Sequence, residues 1–389
     1  ALTREPGKPE LMRGYAEALQ ASGRSAEAMA FAEALSAHFP GWTDGQALLA
    51  ELRWEAGDPD YARGFASAKP DPATQQAWAA LLSGADRHEE AVAVLREGVA
   101  RWPDAAELRL ALATALGEAG QAAAAEPLLA AGADTPAWAV ARGRNLLRLG
   151  RPDAAARMVE PVARADLGDV AAWALLDAAW RLLGDARAAW LHGQDGLVRA
   201  LPLPLSGAEL AELVAMLRAL HAESAIPLAQ SVKGGTQTRG GLFARREPIL
   251  ARLREGLEAV LADYRAGLPA ADPTHPLLSK RDIAWRIVGS WSVRFEGGGR
   301  HAAHIHPRGL LSSACYLVVP DEVGAAGKPG WLELGRPPAG IAPSLGPLHE
   351  LRPAPGLVAL FPSTLFHGTR PIETGERMTV AFDVSAGLA

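Results

Sequence analysis

A glycine recurs at nearly regular intervals through the first half of the chain. From about residue 10 to residue 200 the sequence is rich in Ala and Leu and has almost no β-branched runs, which favours helix throughout. The glycines are Gly23, Gly57, Gly84, Gly120, Gly150 and Gly184, at intervals of 34, 27, 36, 30 and 34 residues. A glycine suits a tight turn between two antiparallel helices, and Ala-rich helices let neighbouring pairs approach closely. The pattern therefore predicts an array of short helical hairpins.

These intervals scatter around the 34-residue period of tetratricopeptide repeats, and the segment resembles degenerate repeats of that kind. Pro40, Pro70 and Pro103 fall where the second helix of a pair is expected to end. Such an array forms a curved superhelix, whose concave face often holds a peptide or another protein. The alternative is a packing or dimerisation scaffold with no ligand of its own.

The run Leu201-Pro-Leu-Pro-Leu-Ser206 breaks the helical pattern twice and marks the predicted domain boundary. We therefore divide the chain into a helical repeat domain at residues 1–204 and a second domain at residues 205–389. Ser206 is predicted to cap a new helix together with Glu209.

The second domain combines a supporting helix with strands. Residues 248–268 carry one apolar stripe at helical spacing, which predicts an amphipathic helix. The runs that begin at Trp285 and Trp291 have the aromatic and β-branched residues of strands, and Gly297-Gly-Gly299 is predicted to form a turn after them.

Four histidines lie close to the predicted strands. In an extended strand, side chains two residues apart point to the same face, so His304 and His306 can present two imidazoles to one point. His367 follows a later strand, and imidazole is a common ligand of iron, zinc and copper. We predict a metal site formed by these three residues, the alternative being histidines that only hydrogen-bond near a barrel mouth. His301 is turned elsewhere by strand geometry and is interpreted as a supporting or structural residue.

Arg377 begins another strand-like run, ten residues after His367. A guanidinium fixed on a strand near the last ligand suits a carboxylate, which it can bind through two parallel hydrogen bonds. Thr379 lies on the same face and can add a hydroxyl donor. The alternative for Arg377 is a surface ion pair with Glu373 or Glu376.

A histidine pair, a distal histidine and an arginine ten residues later resemble the layout of the iron(II)/2-oxoglutarate-dependent oxygenases on the double-stranded β-helix. The likeness covers about residues 227–384, and members of this family often carry tetratricopeptide repeats upstream. Its segments include Gly289-Ser-Trp-Ser-Val-Arg294, His304-Ile-His-Pro307, Ser313-Ala-Cys-Tyr-Leu317, Leu360-Phe-Pro-Ser363, His367-Gly-Thr369 and Ala381-Phe-Asp383.

The resemblance implies a multidomain α and β protein, with a tetratricopeptide-like superhelix followed by a double-stranded β-helix, or jelly roll, and supporting helices. It implies Fe(II) and 2-oxoglutarate as cofactors, with His304 and His367 as iron ligands. Arg377 and Thr379 take the place that binds the distal carboxylate of 2-oxoglutarate.

His306 departs from the family pattern, because most of the wider superfamily has Asp or Glu at this place. A neutral third ligand leaves the iron site more positive, which affects iron retention and redox tuning. The alternative is a two-histidine site with water in the third place.

Other polar side chains are candidates for the pocket wall. The polar, glycine-bearing segment from residue 227 to residue 238 contains one of them, and the others lie on or beside the predicted strands. They are Arg294, Ser313, Tyr316, His301 and Gln230.

The expected function is an oxygenase that hydroxylates a protein or peptide, or a small molecule, recruited with help from the helical repeats. One alternative is a cupin-like enzyme with three histidine ligands that does not use 2-oxoglutarate. The other is a non-catalytic adaptor, in which the repeats bind a partner.

Composition indicates which binding partners and which cellular compartment to expect for the protein. The net charge of -5 and the absence of a long Lys/Arg run give no indication of a nucleic-acid or membrane partner. Cys315, the single cysteine, excludes an intrachain disulfide, and its apolar surroundings predict a buried small hydrophobe. No stretch approaches about 18 consecutive apolar residues, and the first residues lack a signal layout. We expect a cytoplasmic protein.

Overall fold

The computed structural model describes residues 8–68 and 70–387 and divides them into two compact units. The first unit holds the described residues up to 134 together with 225–230. The second holds residues 135–224 and the described residues from 231 onward. The first six residues, in which no signal segment is predicted, lie outside the described part of the chain.

The first unit is helical, and the second unit contains further helices before and among its strands. The helices are α1 (Pro9–Ala21), α2 (Ser25–His38), α3 (Thr43–Glu55), α4 (Arg63–Ser67), α5 (Pro72–Gly84), α6 (His88–Arg101), α7 (Ala106–Glu118), α8 (Ala122–Ala130), α9 (Pro136–Arg148), α10 (Pro152–Ala165), α11 (Val170–Leu183), α12 (Arg187–His192), α13 (Gly207–Ala222) and α14 (Pro248–Ala266). In the first unit, α1, α3, α5 and α7 contact one another in turn, and α2, α6 and α8 each pack on a neighbour in sequence. This is the pairwise packing predicted for helical hairpins.

The glycine turns are confirmed at all positions but one. Glycines with positive φ angles, between 67° and 79°, follow the first helix of a pair at Gly23, Gly57, Gly120, Gly150 and Gly184. Gly84 differs, because it is the last residue of α5 and the left-handed residue is Asp86, with φ 60°. A Cβ atom at Gly84 would lie 2.8 Å from the Cβ atom of Ala229. Close packing, and not the turn, therefore requires the glycine there.

Antiparallel strands form two sheets in the second unit. The larger sheet has the strand order β1-β7-β4-β9-β3-β2, and the smaller has the order β6-β5-β8. The strands are β1 (Arg199–Pro202), β2 (Val232–Gln237), β3 (Trp285–His301), β4 (Leu311–Val318), β5 (Leu332–Leu334), β6 (His349–Leu351), β7 (Leu357–Pro362), β8 (His367–Thr369) and β9 (Glu376–Ala386). A helical repeat region followed by an antiparallel sheet domain confirms the predicted fold class.

The larger sheet is buried on both faces. One face packs through Cys315, Val380 and Phe382 against apolar side chains of α13 and α14. The other carries Tyr316 and Phe361, which pack with the leucines of β5. Cys315 is fully buried, as its apolar neighbours predict, and burial raises the pKa of its thiol to about 12.

A strand lies just before the predicted domain boundary. Residues 199–202 precede the predicted boundary at residue 204, but they form β1 and pair with β7. Pro202, the last residue of β1, is compatible with the strand because β1 is an edge strand, where a missing N–H donor is tolerated. The capping box of Ser206 and Glu209 at the start of α13 is present as predicted.

The last two helical pairs belong by contact to the second unit. Leu176 and Trp180 of α11 share one buried cluster with Ile341 and Phe366 of the sheet region. The Arg181 guanidinium also donates to backbone carbonyl groups of that region. This packing explains why the contact boundary lies near residue 134 and not at residue 204.

The predicted turn at Gly297–Gly299 lies inside β3. All three glycines have positive φ angles, of 66°, 145° and 138°, so the strand continues through a backbone conformation that other residues adopt rarely. Across the described residues, no helix combines the length and apolar composition needed to cross a bilayer.

Candidate metal and carboxylate site

Three histidines of the second unit converge on one point. His304 and His306 lie in the segment that follows β3, and His367 begins β8. The backbones of His304 and His367 exchange two hydrogen bonds of 2.9 Å each, which holds the two residues opposite one another. One ring nitrogen from each of the three histidines lies within 4.8 Å of the other two.

The partners of the Nδ1 atoms define how these rings are protonated. Nδ1 of His304 lies 2.8 Å from the Ala302 carbonyl oxygen, and Nδ1 of His367 lies 3.0 Å from that of Leu365. A carbonyl oxygen can only accept, so both Nδ1 atoms carry hydrogen and both Nε2 atoms keep a lone pair. The Nε2 atoms of His304 and His306 lie 3.1 Å apart. The arrangement brings nitrogen lone pairs together where a cation fits.

Burial keeps the imidazoles of His304 and His367 neutral. Burial, and next the neighbouring histidines, lower the pKa of His304 to about 4 and the pKa of His367 well below its usual range. Neutral imidazole is the form that binds a metal. Three nitrogen ligands leave further coordination positions open on an octahedral ion, so the site can hold a catalytic metal.

Arg377 is a buried cation without a counterion. Its side chain is 2% exposed, and among the described residues no carboxylate forms an ion pair with it. Its guanidinium carbon lies 5.5 Å from the centre of the Tyr316 ring, and its Nε has no hydrogen-bond partner in the described part of the chain. Burial lowers the pKa of Arg377, an effect that Tyr316 partly offsets. Glu376, the alternative partner, is paired with Arg218 and Arg294 instead.

Two further candidates share the surroundings of Arg377. Thr379 lies two residues along β9 on the same face and pairs in register with Tyr316. The Tyr316 hydroxyl is buried and has no hydrogen-bond partner within the described residues. Arg377 Nε and the Tyr316 hydroxyl, which lie close together, therefore present unused hydrogen-bonding groups.

His301 lies beside His304 and feels the charge of Arg377. Its ring centre is 6.2 Å from that of His304, and its Nδ1 lies 3.2 Å from Ser231 Oγ. Burial, and next the charge of Arg377, lower its pKa well below the usual value. His301 is outside the group of metal-competent nitrogens, and its supporting role stays a prediction.

The structure does not bring the remaining candidates to this site. Ser313 lies three residues before Tyr316 and so on the opposite face of β4, where its Oγ donates to the Phe382 carbonyl oxygen at 2.9 Å. Arg294 pairs in register with Met378 and binds Glu376 and Glu296. In both cases, strand alternation places the side chain on the face of the sheet opposite to Arg377 and Tyr316.

Gln230, the last pocket candidate, is exposed and belongs by contact to the first unit. Its neighbours in sequence explain this placement, because the Ala229 amide donates to the Gly84 carbonyl oxygen at 3.2 Å.

Asp383 is the site residue that the sequence reasoning missed. Its carboxylate contacts Nδ1 of His306. It lies on β9 at an even spacing from Arg377, so strand alternation alone places both side chains on one face. That alternation, extended from Arg377 through Thr379 to the end of the strand, is the signal that identifies Asp383.

Two family models match parts of the chain. Residues 289–383 match the family model described as "Putative 2OG-Fe(II) oxygenase", and residues 1–52 match a tetratricopeptide repeat model. No curated protein matches the chain. The three histidines, Arg377 and Asp383 all lie within the matched oxygenase segment.

Matching solved structures include oxygenases and repeat proteins. A prolyl-4-hydroxylase from Pseudomonas putida is 15% identical, with 52% of this chain and 97% of that chain covered and a TM-score of 0.35. HygX from Streptomyces hygroscopicus, with nickel and 2-oxoglutarate bound, is 15% identical, with 49% and 84% covered and a TM-score of 0.35. A tetratricopeptide repeat protein from Thermus thermophilus is 20% identical, with 44% and 99% covered and a TM-score of 0.34.

The family assignment rests on the two sequence models and agrees with the site. The predicted cofactors, iron(II) and 2-oxoglutarate, are those that the matched family description names, and three histidines are placed to hold the metal. The chain carries a domain of the 2OG-Fe(II) oxygenase family together with tetratricopeptide repeats.

Proposed function

We propose that the protein is an Fe(II)/2-oxoglutarate-dependent dioxygenase that hydroxylates a protein or peptide, or a small molecule, with the helical repeats helping to recruit it. The observation that carries the proposal is the buried Arg377 without a counterion. A buried charge with no partner costs several kcal/mol, roughly, so a protein retains it where a ligand of opposite charge completes it. The far carboxylate of 2-oxoglutarate is such a ligand.

Each group of residues has one task in this proposal. His304, His306 and His367 hold iron(II) through their Nε2 atoms, and Arg377 with Thr379 binds the far carboxylate. When bound, iron and 2-oxoglutarate supply the oxidation of a substrate C–H bond by oxygen, with release of succinate and carbon dioxide. The surrounding sheets contribute orientation and exclusion of water.

The first test measures which carboxylate Arg377 binds. 2-Oxoglutarate and 2-oxopentanoate have the same chain length, but only 2-oxoglutarate has the far carboxylate. Each is titrated calorimetrically into the protein loaded with Mn(II), which replaces iron without reacting with oxygen. We expect the wild type to prefer 2-oxoglutarate by roughly 100-fold, the value of one charged hydrogen-bonding interaction.

Two variants make the test specific. In Arg377→Ala we expect similar affinities for both acids, because the group that distinguishes them is gone. Arg218→Ala is the matched control: it also removes an arginine beside β9, but one that is exposed and paired with Glu376. It should keep the preference. A preference for 2-oxoglutarate that survives in Arg377→Ala would overturn the assignment of this residue.

The same experiment separates the competing functions. Metal binding with no preference for 2-oxoglutarate in the wild type would favour the cupin-like enzyme. No metal binding at all would favour the adaptor.

The substrate class is addressed in a second experiment through succinate formation. Peptides and small metabolites are added to the iron-loaded full chain, and those that stimulate succinate release above the background are identified as candidate substrates.

A further inference from the structure

Among the three candidate metal-binding rings, only that of His306 has a carboxylate, from Asp383, as the partner of its Nδ1 atom. His304 and His367 donate from Nδ1 to backbone carbonyl oxygens, which are neutral. His306 faces the carboxylate of Asp383 through the same atom. The described residues hold no lysine or arginine paired with Asp383, so its charge is directed at His306 alone.

The surroundings leave room for this carboxylate to reach the ring. Asp383 pairs in register with Gly289, next to an irregularity in β3 between Ile287 and Gly289. A Cβ atom at Gly309 would lie 3.6 Å from Asp383 Oδ1 and 2.6 Å from Ser363 Oγ. A side chain at position 309 would therefore crowd Ser363, whereas its distance from Asp383 would be that of an ordinary contact. The carboxylate is bordered by residues with no side chain, and its contact with His306 stays open.

We propose that Asp383 is a positioning residue that fixes the Nδ1–H tautomer of His306 and supplies, one residue removed from the metal, the negative charge that a set of three histidines lacks. This inference rests on the proposed function, because it assumes that His306 binds the metal. Asp383 itself is not a ligand, since it lies outside the group of converging donor atoms. A carboxylate hydrogen-bonded to a metal-binding imidazole orients the ring and makes it more basic.

The test compares metal affinities in two backgrounds. Mn(II) and Co(II) are titrated into the full chain, as the wild type, Asp383→Asn and Asp383→Ala. We expect both variants to bind more weakly, by roughly 10–100-fold for loss of such a partner, with Ala the weaker. Asp282→Asn is the matched control, because it neutralises a carboxylate that is 67% exposed and paired with Arg281. It should leave the affinity unchanged.

The second background removes the imidazole. In His306→Asp the third ligand is itself a carboxylate, so Asp383 has no ring to orient. Adding Asp383→Asn to His306→Asp should therefore weaken metal binding much less than Asp383→Asn does in the wild type. A purely structural role for Asp383, or direct coordination by it, predicts an equal loss in both backgrounds, and that result would overturn the inference.

A further readout needs no metal. In ¹⁵N-histidine-labelled apoprotein, we expect His306 to carry its proton on Nδ1 in the wild type and to become a mixture of tautomers in Asp383→Ala. A wild-type His306 protonated on Nε2 would contradict the inference. The failures are distinguishable: unchanged affinity in the Asp383 variants removes this role and leaves the oxygenase proposal intact, whereas a wild type that binds no metal removes both.

Discussion

At the scale of single residues, Arg377 combines a functional advantage with a cost in stability. Its guanidinium is buried, and its Nε has no partner among the residues that the structure describes. Removing a charge of this kind relieves the protein of its desolvation cost, whereas a bound anion compensates it. The same residue therefore destabilises the empty protein and stabilises the liganded one.

The variant Arg377→Met tests this trade-off, since Met fills a similar volume without charge. We expect the apoprotein of the variant to be more stable than the wild type by about 1 kcal/mol or more, measured by thermal or urea unfolding. Addition of 2-oxoglutarate to the metal-loaded proteins should raise the unfolding temperature of the wild type more than that of the variant. A less stable apoprotein would mean that Arg377 already has a stabilising partner.

The sequence predicts the chemistry of single residues better than their partners. His304, His306, His367 and Arg377 are recognisable because their spacing matches strand alternation and their side chains suit a metal and a carboxylate. Asp383 has no such spacing relative to His306, which is far away in sequence. Its contact arises where β4 pairs with β9, because Leu311 at the start of β4 lies opposite Val384, and one sequence does not state that pairing.

At the scale of elements, two glycines of the helical region differ in backbone conformation. Gly120 has φ 75° and open space around its Cα atom, so only backbone conformation requires it. Gly14 lies within α1, also in open space, and its backbone is helical. The two positions belong to the same compact unit and differ in conformation alone.

This pair gives opposite predictions for the same substitution. Gly120→Ala should destabilise by about 1 kcal/mol, because alanine is strained in the left-handed region. Gly14→Ala should stabilise by roughly 0.5–1 kcal/mol, because alanine loses less entropy in a helix. Differential scanning calorimetry of both variants measures the signs. Equal effects would show that these turns do not have the backbone conformation described.

His221 connects α13 to the larger sheet in a buried hydrogen-bond chain. Its Nδ1 lies 2.9 Å from Thr236 Oγ1, and its Nε2 lies 3.0 Å from Ser292 Oγ. The Ser292 hydroxyl donates at 3.0 Å to the backbone carbonyl oxygen of Thr379, beside Arg377. Burial, and next the charge of Arg294, lower the pKa of His221 to about 4, and Glu376 opposes this shift.

The lowered pKa predicts a loss of stability in mild acid. Between a pKa of about 6.5 when unfolded and about 4 when folded, the unfolded chain binds more protons, so stability falls as pH falls through this window. From pH 7 to pH 5 the contribution of His221 amounts to about 1–2 kcal/mol. Urea unfolding of wild type and His221→Asn across this range should show a shallower pH dependence in the variant. Identical slopes would contradict the assignment.

At the scale of the whole molecule, the order of architectures is predictable and the boundary is not. Glycine spacing and Ala-rich composition indicate helical pairs, and β-branched runs indicate the sheets. The division near residue 134 depends on long-range packing, such as that of Trp180 with Phe366, which no local signal announces. The early edge strand β1 escapes prediction for the same reason, because its partner β7 lies far along the chain.

An anaerobic optical titration shows whether this site binds iron(II) and 2-oxoglutarate together. Iron(II) is added to the wild-type chain and then 2-oxoglutarate, while the visible spectrum is followed for the charge-transfer band of a metal-chelated 2-oxo acid. We expect a band that requires both additions and weakens in Arg377→Ala. Iron binding without a band, or a band of the same strength in that variant, would contradict this expectation.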